Sequence, residues 1–363
     1  LINANLIIKD LENFFSAALL EDSKNLPLIN SDKADITFTS GTTGEPKGVL
    51  HSHAQQVMIS NQISKNVCNK DNDTEIIIMP LCHSFALGRM RSCLSIGTPI
   101  VLGYPLKKVS SFFKAIEKYR ISGFGIVPSG WEYLMRISGK KISNYKSQIR
   151  YIELGSAVFS IQQKQKIREM LPHTKIVMHY GLTEISRALF TDFSKDPDNA
   201  VGNLSGDTSV RIIDENAKIV VNDLKKGEIA LKSPWMIKKY YKNSKLTQNK
   251  FIDGYFLTGD LGYIDGNYLI LSGRVKEMIN IGGKKISPLD VEEVLNKIPG
   301  ILESVCVATH DDISGEAIKA CLVIQKEYKF NEENVNNFIK KFLPNYMIPK
   351  EYQFIKSIPK TPT

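Results

Sequence analysis

No stretch of this sequence approaches the roughly 20 consecutive apolar residues that a helix needs to cross a bilayer. Leu1 to Leu20 also lacks the basic start and continuous apolar core of a secretory leader. Cysteine is scarce: Cys68, Cys82, Cys93, Cys306 and Cys321 are odd in number and show no C-x-x-C spacing. That argues against a disulfide framework or a zinc site and favours a reducing, cytoplasmic setting. Internal repeats and low-complexity tracts are missing as well. The net charge of +9 is modest, and the lysines are scattered rather than gathered into one block. Nucleic acid is therefore a poor fit as a partner, and an anionic small substrate accounts for the excess equally well.

What is present is a soluble globular composition, 42% hydrophobic and 23% charged, in a chain of 363 residues. That length predicts two or more domains. Residues 1–34 read as a helical or mixed lead-in. Short apolar runs then recur at 35–39, 75–79, 123–127, 150–154 and 175–179, each ending in a loop of small or polar residues. Helical patterns lie between them at 109–119 and 161–171. Strands alternating with helices imply a mostly parallel α/β sheet, whose ligands bind beyond the carboxyl ends of the strands. The five loops are thus expected at one shared site.

From about Asp207 the pattern turns to short strands at 209–213, 218–221, 228–232, 255–258, 262–264 and 268–271. Turn sequences such as Asp253-Gly254 and Asp265-Gly266-Asn267 separate them, which predicts an antiparallel, barrel-like subdomain. After Arg274 a helix start follows, with Ser287 as N-cap, Pro288 in the first turn and Asp290 able to reach back. Strands at 303–308 and 317–324 and a helix at 332–342 complete a small α+β domain. The expected division is an α/β part at 1–206, a β-rich part at 207–273, a junction at 274–276 and a small domain at 277–363.

The chemistry is concentrated in Thr37-Phe38-Thr39-Ser40-Gly41-Thr42-Thr43-Gly44-Glu45-Pro46-Lys47-Gly48. Glycines let the backbone approach a polyphosphate, hydroxyls donate to its oxygens, and Lys47 supplies a mobile positive charge. The run is not a Walker loop, because Pro46 stands where the second glycine should be and Gly48 where Ser or Thr should follow the lysine.

This run closely resembles the signature loop of the adenylate-forming (AMP-binding) superfamily, and five further stretches match that family's pattern in order. The resemblance spans nearly the whole chain. It implies a large α/β domain with a β-barrel-like subdomain and a small mobile α+β domain. It also implies ATP-dependent activation of a carboxylic acid as acyl-adenylate, release of pyrophosphate, and transfer to a thiol. ATP, Mg²⁺ and CoA are the implied cofactors and co-substrates. A small carboxylic acid is the implied substrate, and an acyl or peptidyl carrier protein is an alternative acceptor.

Carried onto this chain, the resemblance places Thr39, Ser40, Gly41, Thr42, Thr43, Gly44 and Lys47 on the ATP phosphates. In Tyr180-Gly181-Leu182-Thr183-Glu184, Tyr180 would stack on adenine, Thr183 would bind the α-phosphate and Glu184 would help hold Mg²⁺, which prefers hard oxygen ligands. A helix N-terminus capped by Thr183 is the plainer alternative. Gly155-Ser156-Ala157 would contact adenine, although the family's paired glycines and following proline are not kept here. In Thr258-Gly259-Asp260, Asp260 would clamp the ribose hydroxyls, with Arg274 beside it; an Asp in a β-turn is the alternative. His83, in Pro80-Leu81-Cys82-His83-Ser84-Phe85, and Gly181 would border the acyl pocket, unless His83 is simply a packed loop histidine. Lys276 matches the hinge position. Gly282, Gly283 and Lys284 match the loop that serves the thiol.

Thr183, Glu184 and Lys47 are the residues expected to carry catalysis. Relatives continue the Pro359-Lys360-Thr361-Pro362-Thr363 run with Gly-Lys, whose lysine acts in adenylation, and they carry a longer segment before the phosphate loop. The chain is therefore expected to be a fragment, impaired in adenylation as it stands. An acyl-CoA ligase is the leading expectation. A carrier-loading adenylation domain and a non-catalytic nucleotide-binding remnant stand as alternatives.

Overall fold

The computed structural model describes residues 33–39, 46–157, 159–214, 216, 219–220, 224–325, 327–328 and 331–359. The expected lead-in at 1–34 lies almost wholly outside them. The first strand, β1 (Lys33–Thr39), pairs antiparallel with β2 (Lys47–Ser52), with Thr39 opposite Lys47. This corrects the expectation that β1 joins a parallel sheet. The connection from Thr39 to Lys47 is short, and parallel neighbours need a crossover of about a dozen residues or more. The chain turns straight into helix α1 (His53–Val67), started by a capping box in which Ser52 and Gln55 satisfy each other's backbone amides.

The main sheet is built from β3 (Glu75–Ile76), β4 (Ile100–Val101), β5 (Gly123–Ile126), β6 (Tyr151–Leu154), β7 (Lys175–Tyr180) and β8 (Leu189–Asp192). Its order is β4-β3-β5-β6-β7-β8; the first five are parallel and β8 runs antiparallel to β7. Crossover helices α2 (Ser84–Ile96), α3 (Val109–Lys118), α4 (Pro128–Ser138) and α5 (Ile161–Met170) separate the parallel strands. Strands β5 and β6 are buried along their whole length, as expected of strands covered on both faces. On one face Phe112 of α3 meets Phe124 of β5 edge-on.

A second sheet follows, made of β9 (Ala200–Asn203), β10 (Ser209–Ile213), β11 (Ile219–Val220), β12 (Gly227–Lys232), β13 (Phe251–Ile252), β14 (Tyr255–Asp265) and β15 (Tyr268–Arg274). Helix α6 (Ser244–Lys250) precedes β13. The order β11-β10-β12-β14-β15-β9 is antiparallel throughout, with β13 paired to β14. Two predicted strands, at 255–258 and 262–264, are one continuous strand. Gly259 does not end it, because the irregularities in its pairing are absorbed as register shifts beside Leu261. This sheet shares one apolar core with the main sheet, since Ile212, Ile229, Leu231 and Leu269 pack in the same cluster as Ile76 and Phe124.

A separate apolar cluster begins at Ile279. It lies among β16 (Ile279–Ile281), β17 (Lys284–Ile286), α7 (Pro288–Leu295), β18 (Ile301–Asp311), β19 (Gly315–Ile324), α8 (Glu332–Ile339) and β20 (Glu351–Phe354). Ser287 stands at the N-cap position of α7 but makes no side-chain cap bond; its hydroxyl donates instead to the carbonyl of Ser272 in β15. Asp290 reaches Lys226 (3.0 Å) rather than back to the cap. No helix among the described residues is long and apolar enough to cross a membrane.

Strand β2 carries a buried histidine. His51 is 4% exposed, and its Nε2 has no hydrogen-bond partner among the described residues. Burial, aided by Arg91 and opposed by Asp35, brings its pKa from 6.5 down to about 4. The unfolded chain therefore takes up a proton over that range that the folded chain refuses. The associated stability is complete above pH 6.5 and is lost as pH falls toward 4. The prediction is that His51→Leu flattens the loss of urea-unfolding free energy over this range by up to about 3 kcal/mol. An unchanged slope would mean that His51 titrates normally.

Candidate active site

Strand β7 delivers Tyr180 to the carboxyl edge of the main sheet, where the chain folds back at once into β8. The amide of Ala188 donates to the carbonyl of Tyr180 (2.9 Å) and closes the loop. Gly181 is required there: a Cβ on it would lie 1.7 Å from the carbonyl oxygen of Ser186. Thr183 and Glu184 thus sit in a tight turn, and the alternative of a helix N-terminus is excluded. Glu184 is buried, and its Oε1 accepts the hydroxyl of Tyr240 at 2.6 Å.

The Thr258-Gly259-Asp260 element lies inside strand β14, not in a turn. Asp260 faces Arg274 across the β14–β15 pair. Its two carboxylate oxygens are both engaged: Oδ2 accepts the hydroxyl of Tyr180 (2.8 Å) and Oδ1 accepts Nε of Arg274 (2.9 Å). Thr258 Oγ1 accepts the amide of Asp260 (3.0 Å), and Glu228 accepts that of Gly259 (2.9 Å). Burial and the adjacent Asp260 push the Tyr180 phenol well above its ordinary value, so it remains a donor. Three residues from distant parts of the sequence are thereby joined in one polar cluster.

Thr39 and Lys47 are register partners at the loop end of the hairpin, while Ser40, Gly41, Thr42, Thr43 and Gly44 lie outside the described residues. Lys250, at the end of α6, was not anticipated from sequence. Its Nζ donates to the carbonyl of Leu257 (3.0 Å). Burial lowers its pKa; Glu228 and Glu184 oppose that, and Lys47 and Lys276 add to it. Lys47, Lys276 and Glu184 therefore share an electrostatic neighbourhood with Lys250.

Gly155 leads off the expected adenine loop, followed by Ser156 in a left-handed conformation (φ 74°) and an exposed Ala157. A Cβ on Gly155 would come within 2.0 Å of the His179 ring. That ring belongs to a buried ionic network invisible in the sequence. His179 Nδ1 lies 2.7 Å from Glu153 Oε1, Arg187 Nε 3.0 Å from the same oxygen, and Arg89 Nε 3.4 Å from Oε2. Arg89 also pairs with Glu75, which accepts the hydroxyl of Tyr151 (2.7 Å). Burial alone would raise Glu153, but Arg187, His179 and Arg89 hold it ionised, well below the usual carboxylate range. Burial lowers the His179 pKa, and Glu153 opposes that shift. Arg187 further donates to the carbonyls of Ser84 (3.2 Å) and Phe85 (2.9 Å), tying the start of α2 to this network.

His83 is exposed at the head of α2 and makes no cap bond, so it is not a packed loop histidine. Ser84, Leu87 and Gly88 instead join Thr183, Ser186 and His51 around a cavity of about 20 Å³. A larger cleft of about 730 Å³ runs along Lys33, Lys239 and Tyr241, and none of the expected ATP-site residues lines it. Lys276 is exposed on a single helical turn, Val275–Glu277, between the two apolar clusters. Gly282, Gly283 and Lys284 form the exposed turn of the β16–β17 hairpin; the contacts they make there are internal, Gly282 with Ser314 (3.0 Å) and Lys284 over the Tyr346 ring (3.9 Å). Among the described residues no group of three or more His, Cys, Asp or Glu could encage a metal. A lone buried carboxylate such as Glu184 fits Mg²⁺, which is bound through one or two carboxylates with phosphate oxygens and water.

A family model described as AMP-binding enzyme matches residues 6–241, and one described as AMP-binding enzyme C-terminal domain matches residues 290–363. Oxalate–CoA ligase of Saccharomyces cerevisiae is 31% identical, over 92% of this chain and 62% of that protein. Long-chain-fatty-acid–CoA ligase of Bacillus subtilis is 30% identical, over 91% of this chain and 60% of that protein. ATP-bound MatB from Rhodopseudomonas palustris superposes with a TM-score of 0.85 at 25% identity, covering 93% of this chain and 67% of that one. The chain spans 62% and 60% of the length of two further curated relatives that it matches.

The contact between Gly155 and His179 yields a prediction. Gly155→Ala must displace the imidazole from Glu153, and is expected to destabilise the protein by about 1–3 kcal/mol, the usual range for overpacking. Chemical denaturation with and without ATP measures this. A variant as stable as the parent would show that the loop is free to move away.

Proposed function

From the premise that the chain belongs to the AMP-binding enzyme family, we propose that it activates a carboxylic acid with ATP and passes the acyl group to CoA. The observation that carries this reading is the cluster of Tyr180, Asp260 and Arg274, a buried carboxylate held beside an aromatic ring and a guanidinium. Two carboxylate oxygens can accept the paired hydroxyls of a ribose, and the ring offers an apolar face to a purine. At the other end, Lys47, Lys250 and Glu184 combine mobile positive charge with a hard oxygen ligand. This is the combination needed where an anionic carboxylate must meet an anionic triphosphate.

In the proposed reaction a carboxylate oxygen of the acid attacks the α-phosphorus of ATP, and the bond to pyrophosphate breaks. Glu184 would hold Mg²⁺ together with the phosphates, and the ion, when bound, would neutralise their charge. Lys47 and the hydroxyls from Thr39 to Thr43 orient the β- and γ-phosphates, and Thr183 the α-phosphate. In the second step a CoA thiolate attacks the acyl carbon and AMP leaves. Gly282, Gly283 and Lys284 serve this step if the small domain turns at Lys276. The relatives named above act on acids as different as oxalate and long-chain fatty acids. The acid is therefore sought by assay, with fatty and aromatic acids first, since the stretch after His83 carries no carboxylate to hold an α-ammonium.

ATP–pyrophosphate exchange on the natural gene product, across fatty, aromatic, dicarboxylic and amino acids, tests the reading. Exchange dependent on one class of acid is expected, and acyl-CoA formation once CoA is added. Tight ATP binding without exchange for any acid would leave only a nucleotide-binding protein. Asp260→Ala is expected to lower kcat/KM for ATP roughly 10–100-fold, the cost of losing charge-assisted hydrogen bonds. Because a ribose contact acts equally in ground and transition states, most of that loss should fall on KM rather than kcat.

A further inference from the structure

The segment from Ser233 to Tyr241 connects β12 to α6 and is neither helix nor strand apart from a single bridge. It is stitched on one side to the loop that carries Glu184. The amide of Ile237 donates to the carbonyl of Glu184 (2.9 Å), and Nε1 of Trp235 donates to that of Ile185 (3.1 Å). On its other side it is stitched to the phosphate-loop hairpin. Tyr240 forms an antiparallel bridge with Val49, the amide of Tyr241 donates to the carbonyl of Gly48 (2.8 Å), and Gln55 donates to that of Met236. Gly48 lets the two backbones approach, since a Cβ there would come within 3.1 Å of Tyr241.

Tyr240 is the residue where both sets of contacts meet. Its side chain is buried, its amide donates to Thr247 Oγ1 (3.0 Å), and its hydroxyl donates to Glu184 Oε1 (2.6 Å). A phenol on one oxygen fixes the rotation of the carboxylate and leaves its remaining lone pairs for a cation. Outer partners of this kind orient metal-binding carboxylates, and their loss commonly costs about 10–100-fold in affinity.

We propose that Tyr240 is a positioning residue for the magnesium–nucleotide complex, orienting Glu184 through its hydroxyl while its backbone holds the phosphate-loop hairpin at a set distance. The inference rests on the reading of Glu184 as a magnesium ligand. Titration calorimetry of ATP into the protein, once with excess Mg²⁺ and once with EDTA, tests it. The parent protein should bind ATP more tightly with Mg²⁺. Tyr240→Phe keeps the ring and the backbone; it should lose about tenfold in affinity with Mg²⁺ and nothing in EDTA. In a Glu184→Gln background the same substitution should have no further effect, because the two act as one unit. Tyr240→His, whose ring can still donate, should retain more of the magnesium dependence, and it carries the test if Tyr240→Phe fails to fold.

Equal losses in both buffers, additive losses in the double variant, or no loss at all would overturn the role of Tyr240. Parent ATP binding indifferent to Mg²⁺ would instead overturn Glu184 as a metal ligand, and Tyr240 with it.

Discussion

The structure turns on one buried carboxylate. Glu153 sits in the middle of the main sheet with no exposed surface, between two guanidiniums and an imidazole. An isolated charge in that position would be costly, so the loss of any one partner would strongly destabilise the sheet around it. Those partners come from α2, from the end of β7 and from the loop after it. Through Arg187 the same carboxylate governs where Ser84 and Phe85 lie, and through His179 it governs how closely Gly155 can approach. Three of the loops around the proposed ATP site are therefore referenced to a single point in the core.

The hairpin that bears the phosphate loop is held differently. It stands apart from the main sheet and depends on α1, on Asp35 with its partner Arg91 (2.7 Å), and on the segment leading to Tyr240. The segment contributes backbone hydrogen bonds and Arg91 an ion pair, all outside the ionic network around Glu153.

Much of this was legible in the sequence. Loops of small or polar residues at strand ends, short apolar runs, and a change to turn-punctuated strands near Asp207 announced most of the elements. What could not be read was pairing. Nothing in residues 35–39 distinguishes a strand of the parallel sheet from one arm of a hairpin, because periodicity records which face is buried and not which neighbour lies alongside. Polar residues in apolar settings were equally silent. Arg187 shows only as one charge ahead of Ala188-Leu189-Phe190, and Tyr240 as one of two adjacent tyrosines, until their partners about 34 and 56 positions away are brought next to them. Ser287 failed for the same reason: its local pattern is that of a cap, but a carbonyl from another strand competes for its hydroxyl.

That competition bears on how the small domain is held. Apart from the chain itself, its described contacts with the rest include Ser287 on Ser272, Lys226 on Asp290 and Gln162 on Asn296 (3.4 Å), all polar and the latter two exposed. Exposed ion pairs add little to stability. If the domain turned about Val275–Glu277, the Ser287 hydroxyl would give up a carbonyl and could cap its own helix start, where the Asp290 amide now donates to the Ser287 carbonyl (3.2 Å), a contact of similar worth. The hydroxyl would then work as a two-position latch, trading one bond for its equal, so that neither orientation of the domain is an energetic trap.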